Sequence, residues 1–202
     1  MTFCASPVSI GAFSLCYGTP PDACEPFVLT LRCPRREASA SVPFWAGNPG
    51  GHVKIAKAEQ PLQAAWREMR EELVKPNGTP LLADLSLDRL TPLGTGLSYG
   101  CGTTEPNVTV WFAYTCALNI QESLLLNNYV ERLATDKRFA QSVLKASHGE
   151  TAGALFLPVT TLLSEMEREK IVYVHDHGTE IVLPFLETLA RQAPLSPTLG
   201  LG

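Results

Sequence analysis

The 202-residue sequence has no run of about 18 uninterrupted apolar residues, so nothing in it predicts a membrane-spanning helix. It has no G-x-G-x-x-G and no P-loop glycine pattern, which excludes the common dinucleotide and nucleotide-triphosphate cradles. Its six cysteines (Cys4, Cys16, Cys24, Cys33, Cys101 and Cys116) form no C-x-x-C pair and have no metal-ligand spacing. They are read as reduced thiols that pack as small hydrophobes. Basic residues are sparse: the first is Arg32, so the start carries no signal-peptide or transit-peptide charge, and a cytoplasmic protein is expected. Sixteen Lys and Arg against 20 Asp and Glu leave a net charge of −4, with no electrostatic footprint for nucleic acid. Charged residues are only 18% and hydrophobic ones 45%, which excludes a disordered chain.

What is present is a mixture of strand and helix signals. Strand-like runs fall at Val8–Cys16, Phe27–Arg32, Val108–Thr115 and Ala154–Leu157. Between them lies a Gly/Pro-dense loop from Phe44 to Gly51, then a short extended run from His52 to Ala56, and later a Gly-rich loop from Gly94 to Glu105. Helices are predicted from Pro61 to Val74, from Leu124 to Ala146 with a break near Thr135-Asp136, from Val159 to Glu167 and from Pro184 to Gln192. Ile171–Val174 and Thr179–Leu183 are expected to pair across a turn at His175-Asp176-His177-Gly178. There is no regular βαβ rhythm, so the expected class is α/β (α+β), a mixed sheet packed between helices. No repeat or linker divides the chain, which predicts one domain over residues 1–192 and a loose tail over 193–202.

The segment from Glu59 to Val74 carries the chemistry. At a helical period, Leu62, Ala65, Trp66, Met69 and Leu73 form one apolar stripe. Glu68, Glu71 and Glu72 stand beside it at i, i+3 and i+4, so three carboxylates share one face. Like charges this close repel unless a cation sits among them, and hard divalent ions take such oxygen sets. A solvated acidic face would explain an isolated E-x-x-E-E equally well.

The surroundings favour the metal. Asn48-Pro-Gly-Gly51-His52 precedes Glu59, and Arg67-Glu68-Met69-Arg70-Glu71-Glu72 follows with seven residues between Glu59 and Arg67. This resembles the Nudix hydrolase box, G-x5-E-x7-R-E-U-x-E-E-x-G-U. It departs in three places: the gap from Gly51 to Glu59 is two residues longer, Val74 stands where a glycine is expected, and Lys75 takes the last apolar position. The resemblance implies an α/β/α sandwich and a hydrolase that uses Mg²⁺ or Mn²⁺ to split a diphosphate bond. Glu68, Glu71, Glu72 and the Gly50 carbonyl would hold the metal, with Arg67 paired to Glu59. Glu150, just ahead of a late strand, would be the base or a further ligand, with Glu71 as its competitor and Glu105 a weaker candidate.

His52 and Lys54 are candidates for substrate phosphate, and Trp45 for a stacked base; Phe44, Trp111 and Phe112 are read as core. His175 and His177 are read as turn residues. The expected substrate is a small nucleotide, a nucleoside diphosphate linked to another group, with ADP-ribose or another nucleotide sugar first. Nucleoside triphosphates, dinucleoside polyphosphates and capped RNA are the alternatives, as is a binding module with little turnover. A homodimer is compatible with the sequence.

Overall fold

The computed structural model describes residues 8–33, 38–100, 107–174 and 178–192. Glu105, Cys4, Cys101, the His175–His177 turn and the 193–202 tail lie outside the described residues.

The longest strand organises the rest. β1 (Val8–Gly18) runs parallel to β6 (Asn107–Ala117) on one edge. On its other edge it meets two short antiparallel partners, β4 (Gly50–His52) near its middle and β2 (Phe27–Arg32) at its end. β5 (Leu90–Gly100) closes one side against β6. On the other side, β3 (Phe44–Gly47) and β7 (Ala154–Pro158) pair with β2, and β8 (Ile171–Tyr173) pairs parallel with β3. The result is a mixed sheet.

Side-chain alternation along β1 sends Ala12 and Cys16 to one face and Phe13 and Leu15 to the other. The first face is covered by α1 (Pro61–Glu72), α2 (Ile120–Thr135) and α3 (Lys137–Ala146), through Ala65, Met69, Leu126, Tyr129, Phe139 and Val143. The second is covered by α4 (Val159–Glu167) and α5 (Leu183–Gln192), through Val159, Leu162, Leu186 and Leu189. Both faces being buried gives the α/β/α layering. No helix of the described residues is long and apolar enough to cross a membrane.

The α1 stripe is as expected in Ala65, Met69 and Leu73, all fully buried, with Ala64 beside them. Leu62 and Trp66 pack at its margin, where the Trp66 indole N–H donates to the Leu85 carbonyl at 3.2 Å. Asp136 accepts from the N–H groups of Arg138 and Phe139, both at 3.0 Å, and so separates α2 from α3 where a break is predicted.

Four expectations need correction. The Phe44–Gly51 loop contains two strands, β3 and β4, because pairing to β2 and β1 satisfies its backbone. The extended run after His52 is instead a single 3-10 turn, Ile55–Lys57. Gly94 to Gly100 belongs to β5: it is an outer strand, so Pro92 and a bulge at Pro92/Gly94 are tolerated, and Gly96 lies opposite the large Trp111. Residues Thr179–Leu183 do not pair with β8; Gly178–Val182 is a π-helical turn leading into α5. Ile181 and Val182 are adjacent and both buried, which a one-faced strand would not permit. Of the described cysteines, Cys16 and Cys116 are buried as expected, whereas Cys24, in the turn before β2, is exposed.

Candidate active site

Glu59, held beside the 3-10 turn, is the first fixed point. The longer connection from Gly51 is folded into that turn, which Ala58 closes at φ 54°. Glu59 accepts the Lys54 N–H at 2.7 Å and the Arg67 Nε–H at 2.7 Å. The Arg67 guanidinium, together with the Lys54 N–H, holds the Glu59 carboxyl below its ordinary value.

Arg67 does more than pair with Glu59. Its Nη1 donates to Glu68 at 2.6 Å and to Glu71 at 2.9 Å, and its Nη2 to Glu59 and to the His52 carbonyl, both at 3.2 Å. Three carboxylates and a strand-end carbonyl therefore share one guanidinium, which raises the Arg67 pKa further above its ordinary value, Glu59 contributing most. Glu71 remains half exposed at 53%, whereas Glu68 is 16% exposed.

Glu72 stands apart from this network. It is 7% exposed and accepts the Gly50 N–H at 3.2 Å. Burial pushes its carboxyl well above the ordinary value; the Gly50 bond opposes this, and the charges of Glu68, Glu150 and Glu71 add to it. It is also the last residue of α1, where the helix dipole disfavours an anion.

Glu150 comes to this place through its neighbours. The Thr151 hydroxyl, fully buried, donates to the Glu72 carbonyl and ties the loop to the end of α1. The Glu150 N–H donates to the Ser147 carbonyl at 3.0 Å, and the Thr151 N–H to the Ser147 hydroxyl at 3.0 Å. Glu59, Glu68 and Glu71 thus gather on Arg67, while Glu72 lies apart from it and has its carboxyl raised in part by the charge of Glu150.

The paired glycines have separate packing roles. A Cβ on Gly51 would clash with the Glu68 carboxylate, and one on Gly50 would meet the backbone and Cβ of β1 at Phe13 and Ala12. Gly50→Ala is therefore expected to destabilise the fold, by about 1–3 kcal/mol as overpacking does. Gly51→Ala should mainly displace the flexible Glu68 carboxylate. Urea denaturation alongside turnover separates the two: the first variant should lose stability, the second rate.

Val74 and Lys75 explain how α1 ends without the expected glycine. Leu73 leaves helical geometry at φ −91° and ψ 79°, and buried Val74 bridges to Pro80 around the turn at Gly78. Lys75 donates its N–H to the Thr79 carbonyl at 2.8 Å. The helix stops by entering this bridge.

The other candidates divide. Backbone groups of His52 and Lys54 join the Arg67–Glu59 network; the His52 ring is exposed, 6.0 Å from Trp111, and the Lys54 side chain is exposed. Trp45 lies on β3, which pairs with β2 and β8 and not with β4, opposite Val172. Phe44 and Trp111 are buried in the second core and Phe112 packs on the first. Sequence reading missed Thr151, for which a lone threonine gives no signal. It also missed Asn48, whose buried amide has no hydrogen-bond partner two residues before Gly50.

Among the described residues no three His, Cys, Asp or Glu side chains stand close enough together to hold a metal ion as they are. Arg67 draws Glu68 and Glu71 to itself while Glu72 turns to Gly50. The donor chemistry nevertheless fits a hard divalent ion: carboxylates in excess of cations, one of them buried, at the anion-disfavouring end of a helix.

No family model matches the chain, and no curated protein sequence matches it. Solved structures do match. A mutT/nudix family protein from Listeria innocua aligns with a TM-score of 0.53 at 17% identity, covering 93% of this chain and 98% of that one. A NUDIX hydrolase from Alicyclobacillus acidocaldarius aligns with a TM-score of 0.52 at 14% identity, covering 94% and 93%. The alignments span nearly the full length of both, and the mixed sheet with its helices has the fold of the Nudix hydrolases.

Proposed function

We propose that the protein is a Mg²⁺-dependent hydrolase of a diphosphate bond in a nucleoside diphosphate linked to another group, a nucleotide sugar such as ADP-ribose first. The observation that carries this is Glu72, a buried carboxylate lacking a cationic partner among three further glutamates. Burying an anion this way is unfavourable unless a cation compensates it. The register of Glu59, Arg67, Glu68, Glu71 and Glu72 supports the same reading.

Glu68, Glu71 and Glu72, with the Gly50 carbonyl, would hold Mg²⁺ or Mn²⁺, which supplies charge neutralisation at the diphosphate and an acidified water. Glu150 takes the proton of the attacking water, and Glu71, half exposed, is the competing base. His52 and Lys54 border the cluster and offer donors to phosphate oxygens. Arg67 and Glu59 fix the connection between β4 and α1 so that these groups keep their positions.

The test is product analysis on nucleotide sugars, nucleoside triphosphates, dinucleoside polyphosphates and capped RNA, each with and without Mg²⁺. Cleavage of a nucleotide sugar at its diphosphate, only with the metal, is the expected result. Preference for another member moves the substrate class, and no release from any of them with Mg²⁺ or Mn²⁺ overturns the hydrolase reading in favour of a binding module.

A further inference from the structure

We infer that Arg67 is the protein's internal counter-cation, a positioning residue that competes with the divalent ion for Glu68 and Glu71. The inference rests on the metal-dependent reading above and goes beyond it, because it gives Arg67 a second task besides bracing the loop.

The two ends of the guanidinium do different things. Nη1 faces α1 and donates to both Glu68 and Glu71, at 2.6 and 2.9 Å. Nε and Nη2 face the loop and donate to Glu59 and the His52 carbonyl, at 2.7 to 3.2 Å. Rotation of the Glu68 and Glu71 side chains away from Nη1 would break two bonds and leave three, so the helix carboxylates can be released while the rigid guanidinium stays moored to Glu59. Among the described residues, Glu72 receives nothing from Arg67 and has the Gly50 N–H as its hydrogen-bond donor. Two of the three helix glutamates thus have an internal counter-charge and one does not. A divalent ion has to take Glu68 and Glu71 from Arg67, and the affinity it shows is reduced by that exchange.

Competition predicts opposite signs for two substitutions that a simple brace would make alike. Arg67→Gln removes the competitor and should tighten metal binding. Glu59→Gln removes the mooring, leaves the guanidinium more available to Glu68 and Glu71, and should weaken it. If Arg67 only braces the loop, both variants loosen the same connection and both weaken binding.

The experiment is Mn²⁺ titration of the substrate-free 202-residue chain by calorimetry, with free Mn²⁺ followed in parallel by electron paramagnetic resonance. The expected result is Mn²⁺ binding to Arg67→Gln about tenfold tighter than to the wild type, and to Glu59→Gln several-fold weaker, as for gain or loss of one close charge in partly exposed surroundings. Should Arg67→Gln fail to fold by circular dichroism, Arg67→Lys decides. Its single ammonium keeps the charge near Glu59 but cannot span three carboxylates, so it too should bind Mn²⁺ more tightly than wild type. Wild-type binding with weaker binding in both the Arg67 and Glu59 variants overturns this inference and leaves the metal reading standing. Absence of Mn²⁺ binding to the wild type overturns both.

Discussion

Glu72→Gln is expected to lower hydrolysis at least about a hundredfold, the scale of losing one preorganised electrostatic partner, while making the metal-free protein more resistant to heat. The two effects have one cause. The Glu72 carboxylate is buried at the C-terminal end of α1, against three other acidic side chains, with one backbone N–H as its partner. Gln keeps the shape and can still accept from Gly50, but it carries no charge to be desolvated. The pH dependence follows from the raised pKa. Between the ordinary carboxylate value of 4.5 and the raised one, folded Glu72 binds a proton that the unfolded chain has released. Wild-type stability therefore falls as pH rises through that window, and the variant lacks this loss. The gap in melting temperature between variant and wild type should open on going from pH 5 to pH 8, by about 2–4 °C for each kcal/mol of relief. Adding Mg²⁺ should raise the wild-type melting temperature and close the gap, while leaving the variant nearly unmoved. Differential scanning calorimetry at two pH values, with and without Mg²⁺, measures all of this. A variant that melts below wild type at pH 8 without metal would mean that the carboxylate is satisfied in the fold, and undiminished turnover would remove Glu72 from the chemistry.

The acidic helix was legible because its physics is local. Carboxylates at i, i+3 and i+4 fall on one face whatever the rest of the chain does, and the apolar stripe beside them fixes which face turns to the core. The bounds of β2 and α4 were legible for a similar reason, because a short apolar run and a helix opened just after Pro158 are written in their own residues. The misreadings arise where the partner, distant in sequence, decides. Gly94 and Gly96 look like loop residues until they lie beside the strand of Trp111, and Phe44 to Gly51 looks like a loop until β1 and β2 supply its hydrogen bonds. The same distinction runs through the site. The Glu59–Arg67 pair was expected from the resemblance to the Nudix box, and it forms. The bridge from Arg67 to both Glu68 and Glu71 depends on which rotamers the packed loop leaves open, and the buried Thr151 clamp on the Glu72 carbonyl joins residues 79 positions apart. Val74 looked like the loss of a helix stop; the bridge to Pro80 supplies the stop by other means.

Glu150→Gln should lower turnover by about 10²–10⁴-fold, the range for losing a general base, with Mg²⁺ affinity nearly unchanged. The structural basis is the position of its loop. Thr151 is bonded to the Glu72 carbonyl and Ser147 closes the turn behind it, so Glu150 is held beside the end of α1 by its neighbours rather than by its own side chain. Substitution of that exposed side chain leaves those bonds intact, and the variant should fold as wild type does. It also removes one of the like charges acting on Glu72. The metal-free variant should consequently lose less stability than wild type as pH rises, and this change, read by calorimetry, reports proximity independently of catalysis. Rate and Mg²⁺ affinity falling together would make Glu150 a ligand. Turnover unchanged while the stability profile shifts would make it a neighbour of the site without a proton-transfer role, and Glu71 would then be the base. In that case Arg67 has to release Glu71 before each turnover, and Arg67→Lys, which loosens that hold, should raise the fraction of Glu71 able to act. A variant indistinguishable from wild type in rate, metal affinity and stability profile would place the Glu150 carboxylate out of reach of both Glu72 and the substrate.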